Sequence, residues 1–105
     1  MAPIHVTEAE SVLLEALWRR GPLTPVRLIA EVQAARPWGA ATIKTLLGRL
    51  MQRKAVRSER EEGVLRYRAL IDRSAYVEGE VATLVARLFG GDRAALAAFL
   101  SSETG

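Results

Sequence analysis

The spacing of apolar residues changes once along this chain, and the change limits the folds that the chain can adopt. Apolar residues first recur every three or four positions, which predicts helices over residues 8–19, 25–35 and 40–53. They then alternate, which predicts two short strands, over residues 55–60 and 64–70. Three helices followed by a β-hairpin are typical of a winged helix-turn-helix domain, which we assign to residues 1–71.

Residues at the predicted helix ends support these boundaries. Thr7 and Glu10 have the spacing of a capping box, in which each side chain bonds the backbone of the other. Gly21 ends the first helix. Thr24 followed by Pro25 is a cap with proline at the first helical position, so a second helix begins there.

The third predicted helix has two faces of different chemistry. Its apolar residues form one stripe, made of Ile43, Leu46, Leu47, Leu50 and Met51. The opposite face is small, hydroxylic or basic and has no carboxylate, as a helix that enters a nucleic-acid groove requires. We therefore predict DNA contacts, through phosphates and base edges, from Ala41, Thr42, Lys44, Thr45 and Arg49.

The predicted hairpin adds two candidate DNA contacts, Arg60 and Arg66, which could follow the phosphate backbone beside the groove. The turn between the strands is predicted over residues 61–63 and contains Glu61 and Glu62, which would repel phosphate. The tip therefore either points away from DNA or contributes little to binding.

The distribution of charge is more informative than the net charge of +3. Residues 1–60 contain ten Lys and Arg against five Asp and Glu, whereas residues 61–105 contain five against seven. A basic first part and a slightly acidic second part suggest binding in one and assembly in the other.

Several function classes are disfavoured by composition. The chain has no cysteine, which excludes thiol nucleophiles, disulfides and thiolate metal sites, and His5 is its single histidine. There is no glycine-rich phosphate loop, so we expect no enzyme, no cofactor and no metal. Neither an apolar run long enough to span a membrane nor a signal peptide is visible, and we expect a cytoplasmic protein.

Residues 72–105 are predicted to form two further helices that serve dimerisation. Asp72 and Asp92 precede them as caps, and Gly90 and Gly91 separate them. Their apolar stripes need a cover, and a symmetric second chain supplies one, although the helices could instead fold back on their own domain. The predicted dimer interface consists of Tyr76, Val77, Val81, Leu84, Val85, Leu88, Phe89, Leu96, Phe99 and Leu100.

Four segments together resemble the BlaI/MecI/CopY family of bacterial repressors, also called penicillinase repressors. The resemblance extends from about Thr7 to Leu100, and its two most specific parts are the helix Thr42–Leu50 and the break Phe89–Asp92. The segment from Thr7 to Trp18 and the segment Tyr67–Leu70 complete it. Membership implies a mainly α fold with a small β-hairpin, a homodimer, and repression by binding a palindromic operator in double-stranded DNA.

The resemblance also implies ways in which repression could be relieved. In β-lactam-responsive members, a membrane sensor-protease cleaves the repressor within its C-terminal helices. The corresponding bond here is Ala98–Phe99, where this chain has alanine in place of the asparagine of those members. Copper-responsive members carry a C-terminal cysteine cluster, and since this chain has no cysteine we expect no copper switch.

A protein–protein interaction module without specific DNA binding is the alternative. Winged helices of that kind tolerate acidic wings, and Glu61, Glu62 and the modest net charge are compatible with it. Binding to random duplex at low salt separates the two hypotheses.

Overall fold

The computed structural model describes residues 5–104 and confirms the predicted fold class, mainly α with a small β-hairpin. Over this range the chain forms, in order, α1 (Glu8–Arg20), α2 (Pro25–Ala35), α3 (Ala40–Gln52), β1 (Val56–Glu61), β2 (Val64–Ala69), α4 (Arg73–Phe89) and α5 (Arg93–Thr104). It divides into two compact units, the first ending at Arg73 and the second beginning at Ser74.

The predicted capping interactions are present at the first two helices. Thr7 Oγ1 accepts from the backbone N–H of Glu10 at 3.2 Å, and Glu10 Oε1 accepts from that of Thr7 at 3.0 Å, which completes the capping box. Thr24 Oγ1 accepts from the backbone N–H of Arg27 at 3.3 Å, with Pro25 at the first position of α2. These bonds satisfy N–H groups that lack partners within the helices, and so fix where each helix starts.

The core of the first unit lies between α1, α2 and α3 and extends to the start of β1. Its largest fully buried side chains include Leu13, Leu28, Ile43 and Leu50. Burying a leucine or isoleucine contributes about 1.5–3 kcal/mol relative to exposure, so these contacts dominate the stability of the unit. The α3 stripe is buried as predicted except at Met51, which is 36% exposed because it lies in the last turn, at the edge of the core.

The hairpin has a shorter turn than the sequence suggested. Glu61 still pairs with Val64, so only Glu62 and Gly63 connect the strands. Both have positive φ, 53° and 80°, as a type I′ turn requires. A two-residue turn of this type fits the register of the antiparallel pair, in which Glu61 and Val64 are the last cross-strand partners.

Two long-range contacts hold the hairpin and the last residues of the first unit in place, and neither contact was predicted. Leu23, between α1 and α2, pairs with Tyr67 of β2: the Tyr67 N–H donates to the Leu23 carbonyl at 2.8 Å, and the Leu23 N–H donates to the Tyr67 carbonyl at 3.1 Å. Trp18 Nε1 donates to the Ile71 carbonyl at 2.9 Å, which holds the segment before α4 against α1.

In the second unit, α4 and α5 are joined by two glycines with positive φ, Gly90 at 59° and Gly91 at 86°. Asp92 Oδ1 accepts from the backbone N–H of Ala94 at 3.0 Å, so the predicted cap of α5 is present. The turn brings the rings of Phe89 and Phe99 to a centroid separation of 6.2 Å. Between residues 5 and 104, no helix has the length and apolar character needed to cross a bilayer.

Candidate nucleic-acid interface

The predicted binding face of α3 is open to solvent. Its five predicted contact residues are all exposed, whereas the four residues that interleave with them, Ile43, Leu46, Leu47 and Leu50, are buried. The helix is therefore divided lengthwise into a packed side and a free side. The free side carries Ala41, Thr42, Lys44, Thr45 and Arg49, together with Gly48.

The two threonines on this face differ in what their hydroxyls can do. Thr45 Oγ1 donates to the carbonyl of Ala41 at 3.0 Å, one turn earlier in the helix. A hydroxyl has one proton, so in this rotamer Thr45 can accept a hydrogen bond but cannot donate one to a phosphate. Thr42 forms no such bond within residues 5–104 and keeps its proton available.

Lys44 and Arg49 are the two cations on the open face, and over residues 5–104 neither forms an ion pair. Most other arginines of the chain have a carboxylate partner, for example Arg19 with Glu31 at 3.2 Å. Unpaired cations on an acid-free face give a local positive potential that favours phosphate. The open face of α3 therefore carries positive charge that no carboxylate within residues 5–104 neutralises.

The hairpin presents less free positive charge than its arginine content suggests. Arg68 Nε lies 2.7 Å from Glu59 Oε1, and Arg57 Nη2 lies 3.1 Å from Glu59 Oε2. The hydrogen bond from Arg68 lowers the pKa of Glu59, and Arg57 acts in the same direction, so this carboxylate stays ionised. Arg66 lies 4.0 Å from Glu61.

The two predicted hairpin contacts do not lie on the same side of the hairpin. The register pairs Arg60 with Leu65 and Glu59 with Arg66, so Arg60 and Arg66 project from opposite faces. Arg60 Nη1 donates to the carbonyl of Gly63 at 3.2 Å, across the turn. Only one of the two arginines can therefore lie on whichever face is turned to a duplex.

Arg53, the C-cap of α3, turns its guanidinium toward α1. Arg53 Nη1 donates to Glu10 Oε1 and also to the carbonyl of His5, at 3.4 Å for the latter. Glu10 has an exposed fraction of 0%, and over residues 5–104 its Oε2 has no hydrogen-bond partner. The capping-box pattern in the sequence assigned Glu10 to helix capping alone. No local signal links Glu10 to Arg53, which lies 43 residues further along the chain.

Two further exposed arginines, on α2, were not considered in the sequence analysis. Arg27 lies in the first turn of α2 and Arg36 is the C-cap of that helix, just before α3. Both are exposed, and within the described range neither forms an ion pair. The Thr24 cap could have identified Arg27 from the sequence, because a helix that begins after Thr24 has Arg27 in its first turn.

The predicted dimer residues fall into exposed and buried groups. Val77, Leu84, Leu88, Phe99 and Leu100 are between 37% and 60% exposed. Tyr76, Val81, Phe89 and Leu96 are partly exposed. Val85 differs from the expectation: it is 2% exposed in the single chain, because its own chain already covers it, and it is not available to a second chain. At the predicted cleavage bond, Ala98 and Phe99 are both exposed and lie within α5.

Three packed helices, a β-hairpin and an open, acid-free third helix define a winged helix-turn-helix protein. The sequence model of the penicillinase repressor family matches residues 6–105. The chain belongs to that family, as its resemblance to BlaI/MecI repressors indicated.

Individual relatives agree with this assignment. The chain is 27% identical over 87 residues to the penicillinase repressor of Bacillus licheniformis, covering 83% of this chain and 68% of the relative. It is 24% identical over 70 residues to the methicillin resistance regulatory protein MecI of Mammaliicoccus sciuri, covering 67% of this chain and 57% of MecI. The solution structure of monomeric Bacillus licheniformis BlaI in complex with the blaP half-operator is similar in fold, with a TM-score of 0.65 and 28% identity over 72% of this chain and 94% of that one.

Proposed function

We propose that this chain is a homodimeric repressor that binds a dyad operator in double-stranded DNA through α3. The observation that carries the proposal is the open face of α3, where Thr42, Lys44 and Arg49 are exposed and, over residues 5–104, have no carboxylate partner. The structural likeness to BlaI, which was solved with a half-operator, supports the same use of this fold.

Each residue of the open face has a distinct role in this proposal. Lys44 and Arg49 neutralise phosphates, and the position of Arg49 past the middle of α3 favours phosphate over a base edge. Thr42 donates its hydroxyl proton to a phosphate, while Thr45 offers its methyl group to a thymine methyl. Ala41 and Gly48 let the helix backbone approach the groove closely, since neither side chain extends far.

Dimerisation through the second unit is supported by a row of apolar side chains on α4. Val77, Val81, Leu84 and Leu88 are spaced by four, three and four residues, so they lie along one side of the helix. Leu88 is 60% exposed, and Phe99 and Leu100 on α5 are 50% and 54% exposed. A symmetric second copy would cover these side chains and would hold two α3 helices for two operator half-sites.

Salt-dependent binding tests the proposal. Binding of the full chain to a duplex from the promoter of its own gene is measured by fluorescence anisotropy, with a scrambled duplex as control. A dimer that contacts about six phosphates loses roughly three decades of affinity between about 50 and 200 mM salt. A nearly flat salt response, or no binding to either duplex, would favour the protein–protein interaction module instead.

A pair of arginine variants tests which surface is used. Arg49→Ala should weaken operator binding and leave the melting temperature unchanged, because the side chain is exposed and forms no ion pair within residues 5–104. Arg57→Ala removes the same charge from a hairpin arginine that Glu59 already neutralises, and should change binding much less. Equal effects of the two variants would contradict the assignment of α3 as the binding helix.

Relief of repression by a membrane sensor-protease remains part of the proposal. The Ala98–Phe99 bond lies inside α5, so a protease must unwind the helix locally to reach the peptide. Mass spectrometry of the chain isolated from β-lactam-treated cells should detect a fragment that ends at Ala98. Persistence of the intact chain while repression is lifted would exclude this route.

A further inference from the structure

A cavity of about 290 Å³ lies in the first unit, and Lys44 and Gly48 of the open face of α3 are among the residues that line it. Its walls come from α2, α3 and the hairpin, and they include Ile29, Leu47, Met51 and the ring of Tyr67. The size is just below the usual range for small-molecule sites, about 300 to 1,000 Å³. The cavity therefore suits a small organic molecule.

Backbone hydrogen bonds position one wall of the cavity. The Leu23–Tyr67 bridge fixes the main chain of Tyr67 beside the segment that leads into α2, and Tyr67 lines the cavity. Gly48 also lines the cavity, and a Cβ built there would meet no atom within 4 Å. Glycine is a poor helix former, and there is space for a side chain at position 48. Packing therefore does not explain why this position of α3 is a glycine.

The polar groups at the cavity define the chemistry of its occupant. Lys44 is the one charged residue of its lining, is exposed, and has no ion pair over residues 5–104. The Tyr67 hydroxyl likewise makes no hydrogen bond there. An apolar interior with a free ammonium group at its edge complements a molecule with a hydrocarbon body and one negative charge.

We infer that this cavity is a binding site for a small apolar carboxylate, whose body lies against Ile29, Leu47 and Tyr67 and whose carboxylate pairs with Lys44. The consequence for DNA rests on the proposed function. Because Lys44 is also a proposed phosphate contact, the ligand and DNA compete for one cation, and each lowers the affinity of the other by the same factor. The site would make the repressor responsive to a metabolite of this class.

Direct binding to the full chain tests the site without DNA. We choose 2-naphthoate as the probe and 2-naphthalenemethanol, which has the same rings and no charge, as its control. Titration into ¹⁵N-labelled protein should shift the amide signals of Ile29, Leu47, Gly48 and Tyr67 in a saturable way. The acid should bind about fivefold more tightly than the alcohol, as expected for one exposed ion pair.

Two variants separate the role of charge from that of shape. Lys44→Met should abolish the preference for the acid and keep binding of the alcohol. Ile29→Trp should fill the cavity and abolish saturable binding of both probes, with Met51→Trp as a second filling variant if the first does not fold. The site is overturned if acid and alcohol bind wild-type protein equally, if the shifts do not saturate, or if both folded filling variants bind as wild type does.

A DNA arm distinguishes failure of this inference from failure of the proposed function. Saturating 2-naphthoate should raise the dissociation constant of the promoter duplex, and duplex should weaken naphthoate binding by an equal factor. Unchanged DNA affinity in the presence of bound naphthoate overturns the competition. Naphthoate binding by a chain that binds no DNA supports the site and overturns the proposed function.

Discussion

Arg53, the first residue after α3, donates a hydrogen bond to Glu10, whose side chain is fully buried at the start of α1. The same Glu10 oxygen accepts the backbone N–H of Thr7 in the capping box. One carboxylate therefore starts the first helix and anchors the end of the third. Because the open face is part of α3, its orientation relative to α1 depends in part on this ion pair.

Glu10→Gln tests this anchor. The change keeps the size of the side chain but leaves Arg53 without a counter-charge. It also places an amide group at a buried position where Glu10 Oε2 has no hydrogen-bond partner over residues 5–104. We expect the free energy of unfolding, measured in urea, to fall by about 1–3 kcal/mol. Glu8→Gln, at an exposed position of the same helical turn, should cost at most a few tenths of a kcal/mol, about the size of a helix-dipole effect. Equal losses would show that the buried ion pair contributes nothing.

Thr42→Val and Thr45→Val test the difference between the two hydroxyls on the open face. Both changes keep a methyl group and remove one hydroxyl. Since only Thr42 has a free proton, Thr42→Val should weaken operator binding by about tenfold, as expected for a hydrogen bond to a charged group. Thr45→Val should change binding by less than about threefold, because its hydroxyl bonds its own helix. A larger effect at Thr45, measured by anisotropy, would mean that this hydroxyl rotates on binding.

Leu88→Lys tests the dimer surface of the second unit. Leu88 is 60% exposed on the apolar row of α4, and a charge there would be buried without a partner in a dimer. We expect sedimentation velocity to show dimers for the wild-type chain and monomers for the variant. Ala86→Lys places the same charge on the opposite side of α4, where the chain is also exposed, and should leave the dimer intact. A dimeric Leu88→Lys variant would exclude this row as the interface.

Glu62→Asn tests the hairpin turn. Glu62 has a φ of 53°, and asparagine tolerates this left-handed conformation better than glutamate does. We expect the melting temperature to rise by about 2–4 °C, which corresponds to about 0.5 kcal/mol for a domain of this size. Glu61→Asn removes the same charge at a paired strand position and should give no such gain. A rise in both variants would indicate that relief of charge repulsion, rather than backbone conformation, is responsible.

Glu59→Gln tests the electrostatics of the hairpin. The pKa of Glu59 is lowered from its ordinary value of 4.5, first by the hydrogen bond from Arg68, so its ionised form favours folding. That contribution is present above pH 4.5 and is lost as the pH falls through the lowered value in the folded state. The wild-type chain should therefore lose stability in acid more steeply than Glu59→Gln does, as followed by thermal unfolding. Glu62→Gln, which has no ion pair within residues 5–104 to lose, should follow the wild-type curve.

In the first unit, local signals were sufficient to predict the order of the elements, and their ends to within one residue. Capping residues such as Thr7 and Thr24 act within one helical turn, so the sequence pattern contains all the information that they need. The open face of α3 was also predictable, because the helical repeat alone separates Lys44 and Arg49 from the buried stripe. These predictions depend only on which residues are three or four positions apart.

Features that depend on long-range packing were not predictable in the same way. The partners Arg53 and Glu10 are 43 residues apart, and the charge state of the hairpin depends on a register that the two-residue turn decides. The burial of Val85 depends on how its own chain covers it, which helical periodicity does not reveal. The cavity behind α3 exists because three elements meet beside Gly48, and no one of those elements predicts it.

The Leu23–Tyr67 bridge also has a consequence for how chains of this family can vary in length. Because both backbone groups of Tyr67 are engaged with Leu23, the base of the hairpin and the turn after α1 cannot gain or lose a residue independently. The tip beyond Glu61 and Val64 has no such tie. Natural insertions, and engineered tags or reporter sequences, should therefore be accepted at the tip and rejected at the base.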